Sequence, residues 1–191
     1  MARVRIHPPI VVDDYVVREY TMDDLEALDA AIVRNREHLL PWVGDWIKAE
    51  PIGLAKRSEL LRQWVDSYAE GADNPVGIFA GDMLVGGTGL HDRNEPHDVE
   101  VGYWVDREFE GRGIATRVTA ALIERAFATP DVDRVLLLHN IDNAKSRRVP
   151  EKLGLREVPG EHRCGEAPGA KWEFTRAMWE QAMVGQRSDQ G

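Results

Sequence analysis

The chain has 191 residues, 43% of them hydrophobic and 30% charged, with one cysteine and a formal net charge of −9. That length supports one domain with a real core and not two; the lone Cys164 excludes an internal disulfide or a multi-thiolate metal site, and the negative charge excludes duplex nucleic acid as the main partner and favours a cationic one. The longest uncharged run, 83–91, is about half of a bilayer crossing, and no secretory apolar run follows the first arginines, so a cytoplasmic, membrane-free protein is expected, with residues 1–191 as one domain, a core at about 11–181 and loose ends at 1–8 and 185–191.

In chain order, YVVREYT (15–21) alternates as a strand and ends at Thr21, whose hydroxyl is placed to cap a helix over 22–40 with acids in its first turn. Leu25, Leu28, Ile32 and Leu39 form its apolar face. A second helix at about 54–69 carries Leu61, Trp64, Val65 and Tyr68 at three- and four-residue spacing. Between them LLPWVGDWIKAEPIG reads as a loop. Three strands follow, VGIFAG, MLVGGTGL and VEVGYWVD, the first two joined at a Gly-Asp hairpin turn and the third reached through the polar HDRNEPHD. Gly102 is read as a bulge that splays the third strand. Ile114, Val118, Leu122 and Ala126 mark a helix stopping before Pro130; RVLLLHNI is a strand buried on both faces. NAKSRRVPEKLG is helical with a stop at Gly154, and KWEFTRAMW closes the sheet as a last strand. The fold class is therefore α+β, a mostly antiparallel sheet with one crossover helix.

The stretch EFEGRGIATRV (108–118) sets Gly111 and Gly113 at the mouth of a helix. Glycine is a poor helix former, so the pair serves either a tight turn needing positive φ or an anion brought close to unpaired helix N–H groups. A dinucleotide fingerprint would need a third glycine where Thr116 stands, and a Walker loop would need Gly-Lys-Ser/Thr. Both nucleotide patterns fail, and the turn by itself does not choose between the two remaining roles.

Three segments together are more specific. EFEGRGIATRV resembles the acyl-coenzyme A loop of the GNAT superfamily of N-acetyltransferases, with the pattern Gln/Arg-x-x-Gly-x-Gly/Ala falling on Glu110, Gly113 and Ala115. EVGYW before it and DNAKSRRVPEKLGL after the next strand are similar to the RimJ/RimL-type branch, which includes N-terminal acetyltransferases of ribosomal proteins. The resemblance spans Val16 to about Trp179. It implies a GNAT fold, a mixed central sheet splayed at the cofactor strand and flanked by helices, with acetyl-CoA as co-substrate and no metal. Two departures stand out. Glu110 replaces Gln or Arg, and a carboxylate about 5 Å from a diphosphate is repelled by roughly 3 kcal/mol at an effective dielectric near 20. Pro150 has no N–H for the carbonyl of Ser146, so a kink or a frayed start is expected in that helix.

The resemblance also implies roles. Main-chain groups of Trp104 and Val105 would pair with the pantetheine arm; Gly111, Arg112, Gly113, Ile114, Ala115 and Thr116 would hold the diphosphate; Asn143 would bond the pantetheine while serving as a helix N-cap. Ser146 would protonate the departing thiolate. Trp42 and Trp46 would border the acceptor site.

For the base, alternation places Glu100 beside Trp104 on one face of its strand, where an apolar neighbour raises a carboxylate pKa toward usefulness. Glu166, in the segment before the last strand, is second, and His139 third. An α-amine with pKa near 7.7 is about one-sixth neutral at pH 7, against about one part in 2,500 for a lysine near 10.4. With no strong base in view, a peptide N-terminal α-amine is the expected acceptor. A small-molecule amine, a non-catalytic acyl-coenzyme A sensor and, more remotely, a Cys164 nucleophile are the alternatives. The oligomeric state is open, a homodimer included.

Overall fold

The computed structural model describes residues 4, 9–43, 52–69, 75–92 and 97–188. Trp46 lies outside them. Among the described residues nine strands and five α-helices are defined: β1 (Ile10–Val12), β2 (Tyr15–Arg18), α1 (Leu25–Val43), α2 (Gly53–Ala69), β3 (Val76–Ala80), β4 (Met83–Asp92), β5 (Asp98–Val105), α3 (Ile114–Phe127), β6 (Arg134–Asn140), α4 (Ala144–Leu153), β7 (Arg156–Glu157), β8 (His162–Cys164), β9 (Ala167–Thr175) and α5 (Arg176–Ser188). One sheet runs β1-β2-β3-β4-β5-β6-β9-β7, with β8 also on β9. Every pairing is antiparallel except β5–β6, the pair that α3 connects.

The helical faces fold as their spacing demands. Leu28, Ile32 and Leu39 of α1, Leu61, Trp64 and Tyr68 of α2, and Ile114, Val118, Leu122 and Ala126 of α3 are all buried, Leu25 and Val65 half-buried. Each fully buried large aliphatic side chain contributes about 1.5–3 kcal/mol. At the start of α1 the cap differs from the expected hydroxyl cap. Asp24 reaches back and accepts from the Thr21 N–H at 2.7 Å and from the Thr21 hydroxyl at 3.1 Å, while Arg18 clamps its carboxylate at 2.7 and 2.8 Å.

Four expectations are corrected. The loop predicted after Leu40 begins later, because α1 continues through Pro41 and Trp42 to Val43. Pro41 removes a helical partner only from the carbonyl of Glu37, an exposed residue in reach of water. RAMW is helix rather than strand: Thr175 Oγ1 accepts from the Met178 N–H at 3.2 Å, an N-cap, and Arg176 donates to the carbonyls of Phe127, Thr129 and Val132 at the end of α3. The same helix carries 185–188, which were expected to be loose. Gly102 makes no bulge, since β4 and β5 stay in register through Gly89↔Gly102; the register shift lies at Ile78/Phe79 in β3.

The splay itself is present, on the other edge of β5. The β5–β6 ladder ends at Val101↔Leu137, while β5 continues along β4 to Val105 and β6 continues along β9 to Asn140. The two parallel strands part like a V, and a cleft opens at the ends of β5 and α1 and at the starts of α3 and α4.

Candidate active site

The cleft encloses about 490 Å³. One wall is the end of β5, Tyr103, Trp104 and Val105. The glycine turn and first helical turn form a second, with Gly111, Gly113, Ile114, Ala115 and Thr116; α4 supplies Ser146, Val149 and its cap Asn143, and α1 supplies His38, Leu39 and Trp42. Ten of the residues singled out from sequence meet here. Arg112 does not: it donates to the Glu108 carbonyl at 3.2 Å and lies over the Phe109 ring.

The tight-turn role of the glycine pair is visible. Gly111 and Gly113 have φ of 73° and 74°, the left-handed region that side chains with a Cβ resist. A Cβ on Gly113 would also lie 2.9 Å from the Arg117 guanidinium, which ties the turn together by donating to the Arg112 carbonyl at 2.9 Å and pairing with Asp13 at 2.7 Å. At Gly111 the space is open within 4 Å. Ile114, Ala115 and Thr116, in the first turn of α3, thus line the cleft beside a turn left without bulk at Gly111, and the first N–H groups of a helix have no partner within it.

The turn is aimed by a buried polar clasp. Asp106, fully buried, accepts from Arg34 Nε at 2.8 Å, from Asn35 Nδ2 at 2.8 Å and from the Glu108 N–H at 2.9 Å. Asn35 Oδ1 in turn accepts from the Arg107 N–H at 2.9 Å. Burial raises the Asp106 pKa, but the Glu108 N–H, Asn35 and Arg34 outweigh it and hold the carboxyl below its ordinary range. Helix α1 and the end of β5 are locked together at the point where the chain enters the glycine turn.

Glu110 lines the cleft, yet its charge is matched. Its Oε2 accepts from Lys145 Nζ at 2.6 Å and its Oε1 lies 3.0 Å from His38 Nε2, so it bridges α4 and α1. Lys145, Arg148 and Lys152 all line the cleft along α4. Sequence reasoning missed this basic row, although its i, i+3, i+7 spacing was legible in AKSRRVPEKL. The combination of helix N–H groups, a pared-down turn and three cations suits a polyanion such as the diphosphate of coenzyme A.

Asn143 caps α4, its Oδ1 accepting from the Ser146 N–H at 3.0 Å. Ser146 Oγ lies 2.9 Å from the Tyr103 hydroxyl. The start of α4 is not frayed, since Asn143 caps it and the helix runs unbroken over Ala144–Leu153; the Tyr103 hydroxyl donates to the Ser146 carbonyl at 3.1 Å, supplying the bond that Pro150 cannot. Burial pushes the Tyr103 phenol up to about 12, only partly offset by its bond to Ser146.

The candidate bases lie apart from the cleft lining. Glu100, half-buried, sits opposite His91 in β4 and level with Leu136, just before the strands part. Its charge, after burial, helps raise the Cys164 thiol pKa. Glu166 is exposed in the β8–β9 turn, its carbonyl accepting from Arg163. His139 is fully engaged, with Nδ1 2.8 Å from the Asn140 carbonyl and Nε2 accepting from Trp172 Nε1 at 3.0 Å. That pair of partners fixes a neutral tautomer with no lone pair to spare. Among the described residues no three His, Cys, Asp or Glu side chains converge as a metal site requires, and no helix is long and apolar enough to cross a membrane.

The model of the acetyltransferase (GNAT) domain matches residues 15–156. The chain belongs to the GNAT acetyltransferase family. It is 32% identical over 136 residues to the Bacillus subtilis (strain 168) protein named "Putative ribosomal N-acetyltransferase YdaF", covering 70% of this chain and 73% of that one. A solved structure named "Probable acetyltransferase" superposes with a TM-score of 0.78 at 27% identity, covering 90% of this chain and 98% of its own. RimL, a ribosomal-protein α-N-acetyltransferase solved with coenzyme A, superposes at 0.76 with 17% identity over 89% of this GNAT chain and 99% of its own, a likeness of fold. The expected mixed sheet with flanking helices is the GNAT fold found here.

Proposed function

We propose that this GNAT acetyltransferase moves an acetyl group from acetyl-CoA to a primary amine by direct attack, and that the amine is the N-terminal α-amine of a protein or peptide. The observation that carries the reading is the meeting of the parted β5 end, the glycine-flanked start of α3 and the basic row of α4 in one cleft. The first turn of α3 takes the diphosphate, Lys145, Arg148 and Lys152 add charge, and the end of β5 with Asn143 takes the pantetheine arm. The thioester then comes to lie near Ser146, whose hydroxyl protonates the departing sulfur. Glu100, half-buried where β5 and β6 are about to part, is the first base, and Glu166 the second.

The acceptor assignment is supported by kinship with proteins named for ribosomal N-acetylation and by the near-neutral pKa of an α-amine, for which a weak base suffices. A sensor reading would rest on Glu110 and Pro150; the repulsion of Glu110 is offset by Lys145, and α4 runs unbroken through Pro150. A Cys164 nucleophile is disfavoured because burial, then Glu100, keep its thiol protonated.

The test is thiol release from acetyl-CoA with N-terminal peptides and small amines as acceptors. Peptides should turn over at least tenfold faster in kcat/KM, and Ser146→Ala and Glu100→Gln should each be assayed, with a tenfold or larger loss in at least one. Faster turnover of small amines would reassign the acceptor; no release with any amine would remove the transferase reading.

A further inference from the structure

Building on that reading, we infer that Tyr103 and Pro150 form a hydroxyl switch that sets the direction of the Ser146 proton. In an α-helix the carbonyl of residue 146 receives the N–H of residue 150, and Pro150 has none. Leaving such a group without a partner on a half-buried residue is unfavourable. The Tyr103 hydroxyl answers it, at 3.1 Å from that carbonyl, while standing 2.9 Å from Ser146 Oγ. A phenol has one proton and a carbonyl can only accept. When Tyr103 donates to the carbonyl, its oxygen becomes the acceptor for the Ser146 O–H, which holds the serine proton inward.

Rotation of the phenolic O–H from the carbonyl to Ser146 Oγ reverses the pair. Ser146 then has its own proton free to donate into the cleft, and its oxygen is supported by a donor as that proton leaves. In the transfer step a C–N bond forms and the C–S bond breaks. Sulfur takes the Ser146 proton, and serine recovers one from the amine nitrogen through the base or water, so that one net proton passes from nitrogen to sulfur. Tyr103 stays neutral throughout, as its burial favours. It is a positioning residue acting through Ser146, and Pro150 keeps the carbonyl available as its resting acceptor.

The test separates catalysis from structure with three variants of the full chain. Tyr103→Phe keeps the ring and loses the hydroxyl. It should lower kcat tenfold or more with KM for acetyl-CoA within about twofold, and combining it with Ser146→Ala should add little, as expected for groups acting as a unit. It should also lower Tm by several degrees, because the Ser146 carbonyl loses its donor. Adding Pro150→Ala returns a backbone N–H to that carbonyl, so the double variant should regain Tm while kcat stays low. Recovery of kcat together with Tm would show a merely structural hydroxyl and overturn the inference, as would wild-type kcat in Tyr103→Phe. A wild-type protein that releases no thiol at all would sink the transferase reading, and this one with it.

Discussion

At the scale of single residues the chemistry is decided by who stands next to whom. Glu110 replaces a neutral or basic residue of the family pattern, and by itself would repel a diphosphate; the Lys145 ammonium at 2.6 Å offsets that repulsion, and His38 Nε2 lies 3.0 Å from its other oxygen. Glu110→Gln leaves the Lys145 ammonium free to face the ligand and should lower KM for acetyl-CoA about threefold to tenfold at low salt, with the gain shrinking in 0.5 M salt; an unchanged KM would show that the carboxylate never faced the cofactor. Asp106 is the opposite case, an acid whose removal harms. Asp106→Ala strands Asn35 Nδ2, the Glu108 N–H and part of Arg34, and should destabilise by about 3 kcal/mol in urea unfolding. Neither partnership was legible in the sequence, since Arg34 and Asn35 lie 72 and 71 residues from Asp106 and His38 belongs to a different helix from Lys145.

Elements were the most legible level. Spacing located the buried faces of α1, α2 and α3, because a helix can bury one side only if its apolar residues recur every three or four positions. What spacing misjudged were the ends. Pro41 looked like a stop and sits within α1; Thr175 looked like mid-strand and caps α5. The strands β1, β7 and β8, two or three residues each, carry too few residues for alternation to register. The glycine turn makes a prediction at this scale. Gly111→Ala and Gly113→Ala each force a side chain into the left-handed region and should cost about 1–2 kcal/mol. Only Gly113→Ala also pushes on the guanidinium of Arg117, which pins the turn, so its KM for acetyl-CoA should rise about tenfold while that of Gly111→Ala rises less. Equal effects on KM would show that Arg117 does not hold the turn in its binding shape.

The whole molecule is acidic, with a formal charge of −9, yet α4 lines the cleft with Lys145, Arg148 and Lys152. Segregated charge of this kind would favour a polyanion at that mouth and cationic partners elsewhere. Global stability should also follow the titrations. For Asp24 and Asp106 burial raises the pKa, but their hydrogen bonds and arginine partners more than reverse it, so their stabilisation is present above the unfolded carboxylate value near 3.9 and lost as pH falls through their lower folded values. Tyr20, Tyr68 and Tyr103 are raised, chiefly by burial, so their contribution is present below about pH 10 and lost as pH rises beyond it. Urea titrations at several pH values should give a plateau between about pH 4 and pH 10 with losses on both sides. A stability that peaks sharply inside that window would assign the pH response to other groups.

The amino-acid order on its own determined the family, the α+β architecture and the part of the cleft wall made by Trp104, Val105, Gly111, Gly113, Ile114, Ala115, Thr116, Asn143 and Ser146, because each depends on residues near one another along the chain: a glycine-relieved helix start, a capped helix, a strand of regular alternation. Tertiary structure alone decided the parting of β5 from β6, the partners of Glu110 and Asp106, and the meeting of Tyr103 with the carbonyl that Pro150 leaves open. Hydrogen bonds and ion pairs act over about 3 Å, and only the closed sheet brings residues forty or seventy positions apart within that reach.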